Sequence, residues 1–285
     1  MKRIVLAVCI LMFMFSGVAF AGEVAGTGQS GISVSAGYDG SLLNYREYTG
    51  NRNFFDPNAA VLDKDTGWQN GGFAEVRYDD HYVFVRANFD GVGSNNAKYT
   101  GQLQNGTPIS LTTRERIYIG ELDAGVKALN ISTSTLSPYL GIGDREWDRG
   151  QDVLPDYKEK YTWWFGAAGV NYAYKINKWT IGIDGALLWP FDLKMETDTA
   201  GLTDNATFKI QSRLGYRVEL PINYEVYSSK AMKMFVFGTP HYEGWNIGQS
   251  PTITLTSGGV PVAMAFEPKS ITNIYSIRVG VGFNF

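Results

Sequence analysis

The carboxyl-terminal segment of the chain, Asn273 to Phe285, alternates strictly between two kinds of residue from Tyr275 onward. The apolar members occupy every second position: Tyr275, Ile277, Val279, Val281, Phe283 and Phe285. The positions between them are polar or glycine: Ser276, Arg278, Gly280, Gly282 and Asn284. A period of two sends the two sets to opposite faces of a β-strand. One face of this strand therefore requires an apolar environment along its whole length.

The same alternation recurs along the chain and predicts ten strands. Their approximate ranges are 31–45, 68–78, 81–90, 114–128, 138–147, 161–174, 178–194, 208–223, 232–245 and 273–285. In the seventh, Trp179 and Trp189 lie ten residues apart on the apolar face. At about 3.3 Å per residue and a tilt of roughly 40°, that spacing covers about 25 Å, which matches the apolar band of an outer-membrane barrel.

The connections between these strands alternate in length. Short links fall near 79–80, 129–137, 175–178 and 227–230. Long links cover roughly 47–67, 91–113, 148–160, 196–206 and 247–270. Short periplasmic turns and long extracellular loops are typical of transmembrane barrels. The sequence thus predicts an all-β fold, a transmembrane antiparallel up-and-down β-barrel of about ten strands. We expect outer-membrane lipids to surround it.

The last strand resembles the closing strand of bacterial outer-membrane barrels, whose terminal aromatic residue is read by the insertion machinery. The resemblance implies that Phe283 and Phe285 form a membrane-insertion signal and that the barrel-assembly machinery is a partner. Strand number and length resemble the omptin proteases. The run Tyr139-Leu140-Gly141-Ile142-Gly143-Asp144-Arg145-Glu146-Trp147 is similar to a segment in the family of the Protochlamydia outer-membrane protein, which is grouped with omptins and implies a porin-like barrel.

The amino terminus has the pattern of a secretory signal peptide. Lys2 and Arg3 precede an apolar stretch, and Ala19-Phe20-Ala21 forms a small-x-small cleavage site. We predict that residues 1–21 are cleaved and that residues 22–285 form the barrel domain in the outer membrane of a Gram-negative cell. Cys9 would be removed, which leaves no mature cysteine. The mature chain has 23 basic and 28 acidic residues, a net charge of −5, so no nucleic-acid partner is expected.

The inward faces of the predicted strands carry equal numbers of acids and bases. We assign the acids as Asp39, Glu75, Glu121, Asp123, Asp184, Glu219 and Glu243, and the bases as Arg77, Arg86, Lys127, Arg145, Arg213, Arg217 and Arg278. Long charged side chains that cross a narrow lumen meet one another, and buried charges persist when they are paired. The pattern favours an ionic network that fills the barrel. A narrow water-lined conduit is the alternative.

Catalytic arrangements find little support in the sequence. The omptin resemblance implies an acidic pair and an Asp-His pair at the extracellular rim. Only His81 and His241 are available, and His81 follows Asp79-Asp80 in a periplasmic turn. We predict that His241 is a lumen histidine held by a carboxylate, with Glu243 two residues on along the same face. Two distant histidines give no metal site, and no cofactor is expected.

The leading hypothesis is a non-enzymatic outer-membrane barrel with a charge-lined narrow lumen, structural or porin-like. One alternative is a surface adhesin acting through its loops, which contain Phe54 and Phe55. Another is an omptin-like outer-membrane hydrolase. The sequence identifies no extracellular ligand.

Overall fold

A computed structural model describes residues 31–48, 61–102, 107–151 and 157–285, and these residues form an all-β structure. The strands are β1 (Gly31–Tyr48), β2 (Val61–Asp79), β3 (Val83–Gln102), β4 (Pro108–Val126), β5 (Leu129–Ile131), β6 (Ser134–Arg149), β7 (Lys158–Ile176), β8 (Trp179–Asp198), β9 (Ala206–Lys209), β10 (Gly215–Glu219), β11 (Ile222–Ser228), β12 (Lys233–Ile247), β13 (Ile253–Ser257), β14 (Val260–Ala265) and β15 (Lys269–Asn284). Within these ranges, no helix has the length and apolar character needed to cross a membrane.

The strands close into a ten-stranded antiparallel barrel, as predicted. Each of the first eight crossings pairs with its neighbour in sequence, and β5 is a short hairpin arm on β6. The broken strand β9–β10–β11 forms one crossing between β8 and β12. The barrel closes where β15 pairs with both β1 and β12. Closure gives every crossing a partner on both sides and removes free sheet edges.

The two ends of the barrel differ. We call "turn end" the end that holds Gly31, Phe285 and the short connections 80–82, 127–133, 177–178 and 229–232. We call "loop end" the opposite end, where the longer connections lie. Phe54 and Phe55, the residues named for the adhesin alternative, lie outside the described residues, as does the predicted signal peptide. The predicted 247–270 loop contains a hairpin of β13 and β14.

Alternation along β8 shows why this sequence forms a barrel wall. Trp179, Ile181, Ile183, Leu187 and Trp189 are exposed on the outer surface. Gly182, Asp184, Ala186 and Leu188 alternate with them and are buried. An apolar outer face beside a buried inner face is what a strand between hydrocarbon and a filled lumen requires.

A bulge near the loop end of β8 corrects one face assignment. Strict alternation from Trp179 predicts that Leu193 faces outward like Phe191, but Leu193 is buried. The register of β7 against β8 shifts between Thr162 and Trp164, and Asp192 opposite has a positive φ of 51°. One extra residue in a strand reverses the faces beyond it. Leu193 therefore joins the core.

The predicted strand 208–223 is also interrupted. Alternation along 208–223 predicts that Phe208, Ile210, Leu214 and Val218 share one face. In the structure Phe208 and Ile210 are buried, whereas Leu214 and Val218 are exposed. Between β9 and β10 the chain leaves the continuous ladder and keeps a single bridge, from Ser212 to Ile247.

Arg213 lies in this irregular segment and is exposed, so its assignment to the lumen network was wrong. Within the described residues, it makes no ion pair. Its position in the alternation matches the inward residue Arg217, but a residue outside the ladder does not follow the pleat.

Candidate functional site

Ion pairs cross the middle of the barrel interior. Arg86 of β3 contacts Asp123 of β4 at 2.9 Å and reaches Asp184 of β8 at 3.2 Å. Tyr139 of β6 donates to the same Asp184 over 2.6 Å, and Asn171 of β7 donates at 3.3 Å. Since β3 and β8 lie on opposite sides of the closed sheet, the Arg86–Asp184 contact links the two walls directly.

Two more ion pairs span the lumen at nearby levels. Arg217 of β10 makes a two-point contact with Glu121 of β4, with Nη2 2.9 Å from Oε1. Arg145 of β6 pairs with Glu243 of β12, and Trp245 donates to that carboxylate over 2.6 Å. All four charged side chains are buried. Buried charges of this kind are tolerated when each is paired and hydrogen-bonded.

Arg278 of the closing strand gathers three carboxylates. Its guanidinium lies 2.9 Å from Asp39, 2.7 Å from Asp90 and 3.0 Å from Glu219. These acids come from β1, β3 and β10. Arg278 therefore ties the strand that closes the barrel to three other crossings.

The two histidines lie in different parts of the barrel. His241 is buried, and its Nδ1 lies 3.1 Å from Glu219, not from the expected Glu243. The cause is register: Glu219 and His241 stand directly opposite on β10 and β12, whereas residues two apart on one strand are about 6.6 Å apart along it. His81 is exposed in the connection 80–82 at the turn end, where its ring contacts Tyr82.

A layer of aromatic side chains lies on the loop-end side of these ion pairs. We call it the aromatic layer, and it comprises Tyr45, Trp147, Tyr161, Trp163, Phe165 and Trp245. Trp147 stacks on Tyr161 with ring centres 4.9 Å apart and meets Tyr45 edge-on at 5.0 Å. Trp245 packs edge-on against Trp163 at 5.3 Å. Trp147 is 0 % exposed and Trp245 is 1 % exposed, so both rings are buried inside the barrel.

A second charged group, the loop-end cluster, is centred on Arg149. The Arg149 guanidinium lies 2.5 Å from Asp65, 2.7 Å from Glu159 and 3.2 Å from Glu47. The planar guanidinium of Arg149 also lies over the ring of Tyr45, 4.5 Å from the ring centroid. Donor and ring contacts of this kind suit arginine and not lysine.

Glu267 completes the loop-end cluster from the connection before β15. Tyr161 donates to its carboxylate over 2.6 Å, and its backbone N–H donates to Ser250. Burial, with the charge of Glu159 as the second cause, raises the pKa of Glu267 to about 8. Loss of solvent disfavours the charged form of an acid, and a neighbouring carboxylate acts in the same direction.

Below the ion pairs, a cavity of about 440 Å³ opens at the turn end, and we call it the vestibule. Its deep wall includes Arg86, Glu121, Asp184, Arg217 and Glu243. Its mouth carries the charged and polar residues Ser33, Ser35, Arg77, Asp79, Lys127, Thr135, Lys175, Lys178, Asn223, Glu225, Lys233 and Asn284. The next inward positions toward the loop end are buried: Ile117 after Ile119 and Trp245 after Glu243. Among the described residues, no member of the aromatic layer lines the vestibule.

The structure brings most of the predicted lumen residues together. Those that take part in ion pairs are Asp39, Arg77, Arg86, Glu121, Asp123, Lys127, Arg145, Asp184, Arg217, Glu219, Glu243 and Arg278. Glu75 lines the vestibule. Arg77 and Lys127 share Asp79 at the mouth, at 2.6 Å and 2.9 Å.

Sequence reasoning missed Asp90 and the loop-end cluster. Asp90 lies four residues after Arg86 on β3, so both face the lumen, and the alternation in the sequence already indicates this. Glu47, Asp65 and Arg149 were placed in loops, yet they continue the inward parity of β1, β2 and β6. Among the described residues, no group of three or more His, Cys, Asp or Glu side chains is arranged to hold a metal ion.

Comparison with known proteins shows the fold. No family model and no curated protein sequence matches the chain. The outer membrane protease OmpT from Escherichia coli aligns with a TM-score of 0.54 and 12 % identity, over 92 % of this chain and 98 % of that one. The outer membrane protein OprG from Pseudomonas aeruginosa aligns with a TM-score of 0.41 and 9 % identity, over 92 % of this chain and 99 % of that one. The translocator domain of the autotransporter NalP from Neisseria meningitidis aligns with a TM-score of 0.41 and 11 % identity, over 98 % of this chain and 95 % of that one. The likeness to OmpT shows that this chain has the fold of a small outer-membrane barrel.

Proposed function

We propose that this chain is an integral outer-membrane β-barrel protein with a closed, charge-filled lumen, and that it acts as a non-enzymatic structural barrel and not as an open pore. The turn end faces the periplasm, as short turns do in this class of protein, and the loop end faces the outside. Residues 1–21 direct export and are removed, and the terminal strand guides assembly into the membrane.

The observation that carries this proposal is the aromatic layer above the ion pairs. Trp147 and Trp245 are buried in the lumen, and Arg145 lies between Trp163 and Trp245, 5.2 Å and 5.5 Å from their ring centres. A conducting lumen needs a continuous file of water, and these rings fill the positions where that water would lie. The ion pairs that connect opposite walls of the barrel stabilise the side chains that fill the lumen.

Hydrolysis of the omptin kind finds no support at the loop end. The omptin resemblance implies a histidine at the extracellular rim beside an acid. His81 lies at the turn end, and His241 is buried in the lumen against Glu219. The chain contains two histidines in all. The chain therefore has the fold of OmpT but lacks, at its loop end, the histidine that the omptin resemblance implies.

Planar-bilayer recording tests the proposal. Purified protein that shows heat-modifiable migration on a gel, and is therefore folded, should insert without producing steady conductance steps. Trp147→Ala with Trp245→Ala, checked for folding by the same migration, should produce steps because it opens the aromatic layer. Stable ohmic steps from the unaltered protein would overturn the closed-lumen proposal.

A further inference from the structure

The vestibule is lined by eight basic and eight acidic residues, but not all of the cations at its mouth take part in ion pairs. Lys175, Lys178 and Lys233 line it, and no ion pair engages any of them among the described residues. The other two mouth cations, Arg77 and Lys127, are already held by Asp79. Lysine side chains that face a concave polar wall without a partner are available to a ligand.

The acids deeper in the vestibule are mostly occupied. Asp184 accepts from three side chains, Glu121 is held at both oxygens by Arg217, and Glu219 is contacted by Arg278. Two lining acids, Glu75 and Glu225, take part in no ion pair within the described residues. The charged groups of the vestibule outside these ion pairs are therefore three ammonium groups and two carboxylates, of which Glu75 accepts a hydrogen bond from the Asn88 side-chain amide over 2.9 Å.

The buried wall also offers a hydrogen-bond donor. Arg217 is 6 % exposed, and its Nε makes no hydrogen bond; the carboxylate of Glu219 lies 3.8 Å from it. Buried N–H groups usually have a partner, so an unpartnered donor on a cavity wall indicates a missing acceptor. Arg217 lines the vestibule directly.

We propose that the vestibule binds a small acidic zwitterion from the periplasmic side: an acidic amino acid or a short acidic peptide. The ligand's carboxylates meet Lys175, Lys178 and Lys233, and its ammonium group meets Glu225 or Glu75. A cavity of about 440 Å³ falls within the range of small-molecule sites, which is roughly 300–1,000 Å³. This binding function goes beyond a structural barrel and does not depend on conductance.

Calorimetric titration of the detergent-solubilised barrel with the dipeptide Glu-Glu tests the proposal. We expect saturable binding that weakens at high salt, because charges near solvent are screened. Replacement of the three lysines by glutamine (K175Q, K178Q and K233Q together) should weaken binding by roughly tenfold, since three partly exposed ion pairs are removed. The dipeptide Lys-Lys should not bind.

The matched control is K160Q with K194Q, which removes two lysines outside the vestibule lining. Heat-modifiable migration establishes that both variants fold. Equal affinity of the triple variant and the unaltered protein for Glu-Glu, or no saturable binding at all, would overturn the proposal. Stronger binding of Lys-Lys than of Glu-Glu would also overturn it, because it would reverse the sign of the site.

Discussion

The Arg217–Glu121 contact gives a quantitative test of the filled lumen. The side chains of Arg217 and Glu121 are 7 % and 1 % exposed, and two nitrogens meet two oxygens. Arg217→Met would leave the Glu121 carboxylate buried without its main partner. Removal of one member of a buried pair costs about 3–5 kcal/mol. Glu219 would keep its 3.0 Å contact with Arg278, so the loss falls mainly on Glu121.

The double variant Arg217→Met with Glu121→Gln separates pairing from desolvation. Since no charge is then left buried alone, most of the cost should be recovered, with a coupling energy of about 2–3 kcal/mol. The assay is equilibrium unfolding in urea of barrels reconstituted in phospholipid vesicles, followed by tryptophan fluorescence. The cycle needs Arg217→Met, Glu121→Gln and the double variant.

The control is the exposed pair Lys194–Asp192, whose nitrogen and oxygen lie 2.8 Å apart while the side chains are 36 % and 59 % exposed. Lys194→Gln should change the unfolding free energy by less than about 1 kcal/mol. If Arg217→Met costs no more than this control, or if the double variant is no more stable than the single one, the lumen is hydrated and the reasoning is wrong.

Two further predictions concern the outer wall and the loop-end cluster. Ile183 lies four residues from Trp179 on the outer face, about 10 Å along the membrane normal and near mid-depth. Ile183→Arg should lower the unfolding free energy in vesicles by about 2–4 kcal/mol. Leu202→Arg, at an exposed turn, should leave it almost unchanged. Equal costs would refute the outer-face assignment. Because the pKa of Glu267 is raised from 4.5 to about 8, the folded state holds a proton there that the unfolded state loses, so the unfolding free energy should fall as pH rises from about 4.5 to 8. Glu267→Gln should flatten that part of the urea-unfolding profile, and identical slopes for the two proteins would contradict it.

The barrel could be predicted from sequence because each wall residue sees one of two environments. Ile181, Ile183 and Leu187 need hydrocarbon, and Asp184 needs a paired polar interior, so alternation reports the fold directly. The bulge at Asp192 could not be predicted in the same way. One added residue changes the faces beyond it while leaving the composition of the strand unchanged.

The pairing inside the lumen depended on information that one sequence does not hold. Which acid meets Arg217 is set by register and stagger around the closed sheet, and Glu121 is 96 positions away in the chain. The loop-end cluster was missed for another reason. Beyond the apolar band both faces of a strand become polar, so Glu47 and Arg149 lose the alternation that marks a strand.

The central claim is that the lumen is open at the turn end and closed toward the loop end, and site-directed labelling of whole cells tests it most directly. Ser35 lines the vestibule, and Cys9 is the chain's single cysteine. A variant with Ser35→Cys should react with a large membrane-impermeant maleimide only after the outer membrane is permeabilised. Reaction at the same rate in intact cells would show a path through the aromatic layer or an inverted barrel, and either result would contradict the account.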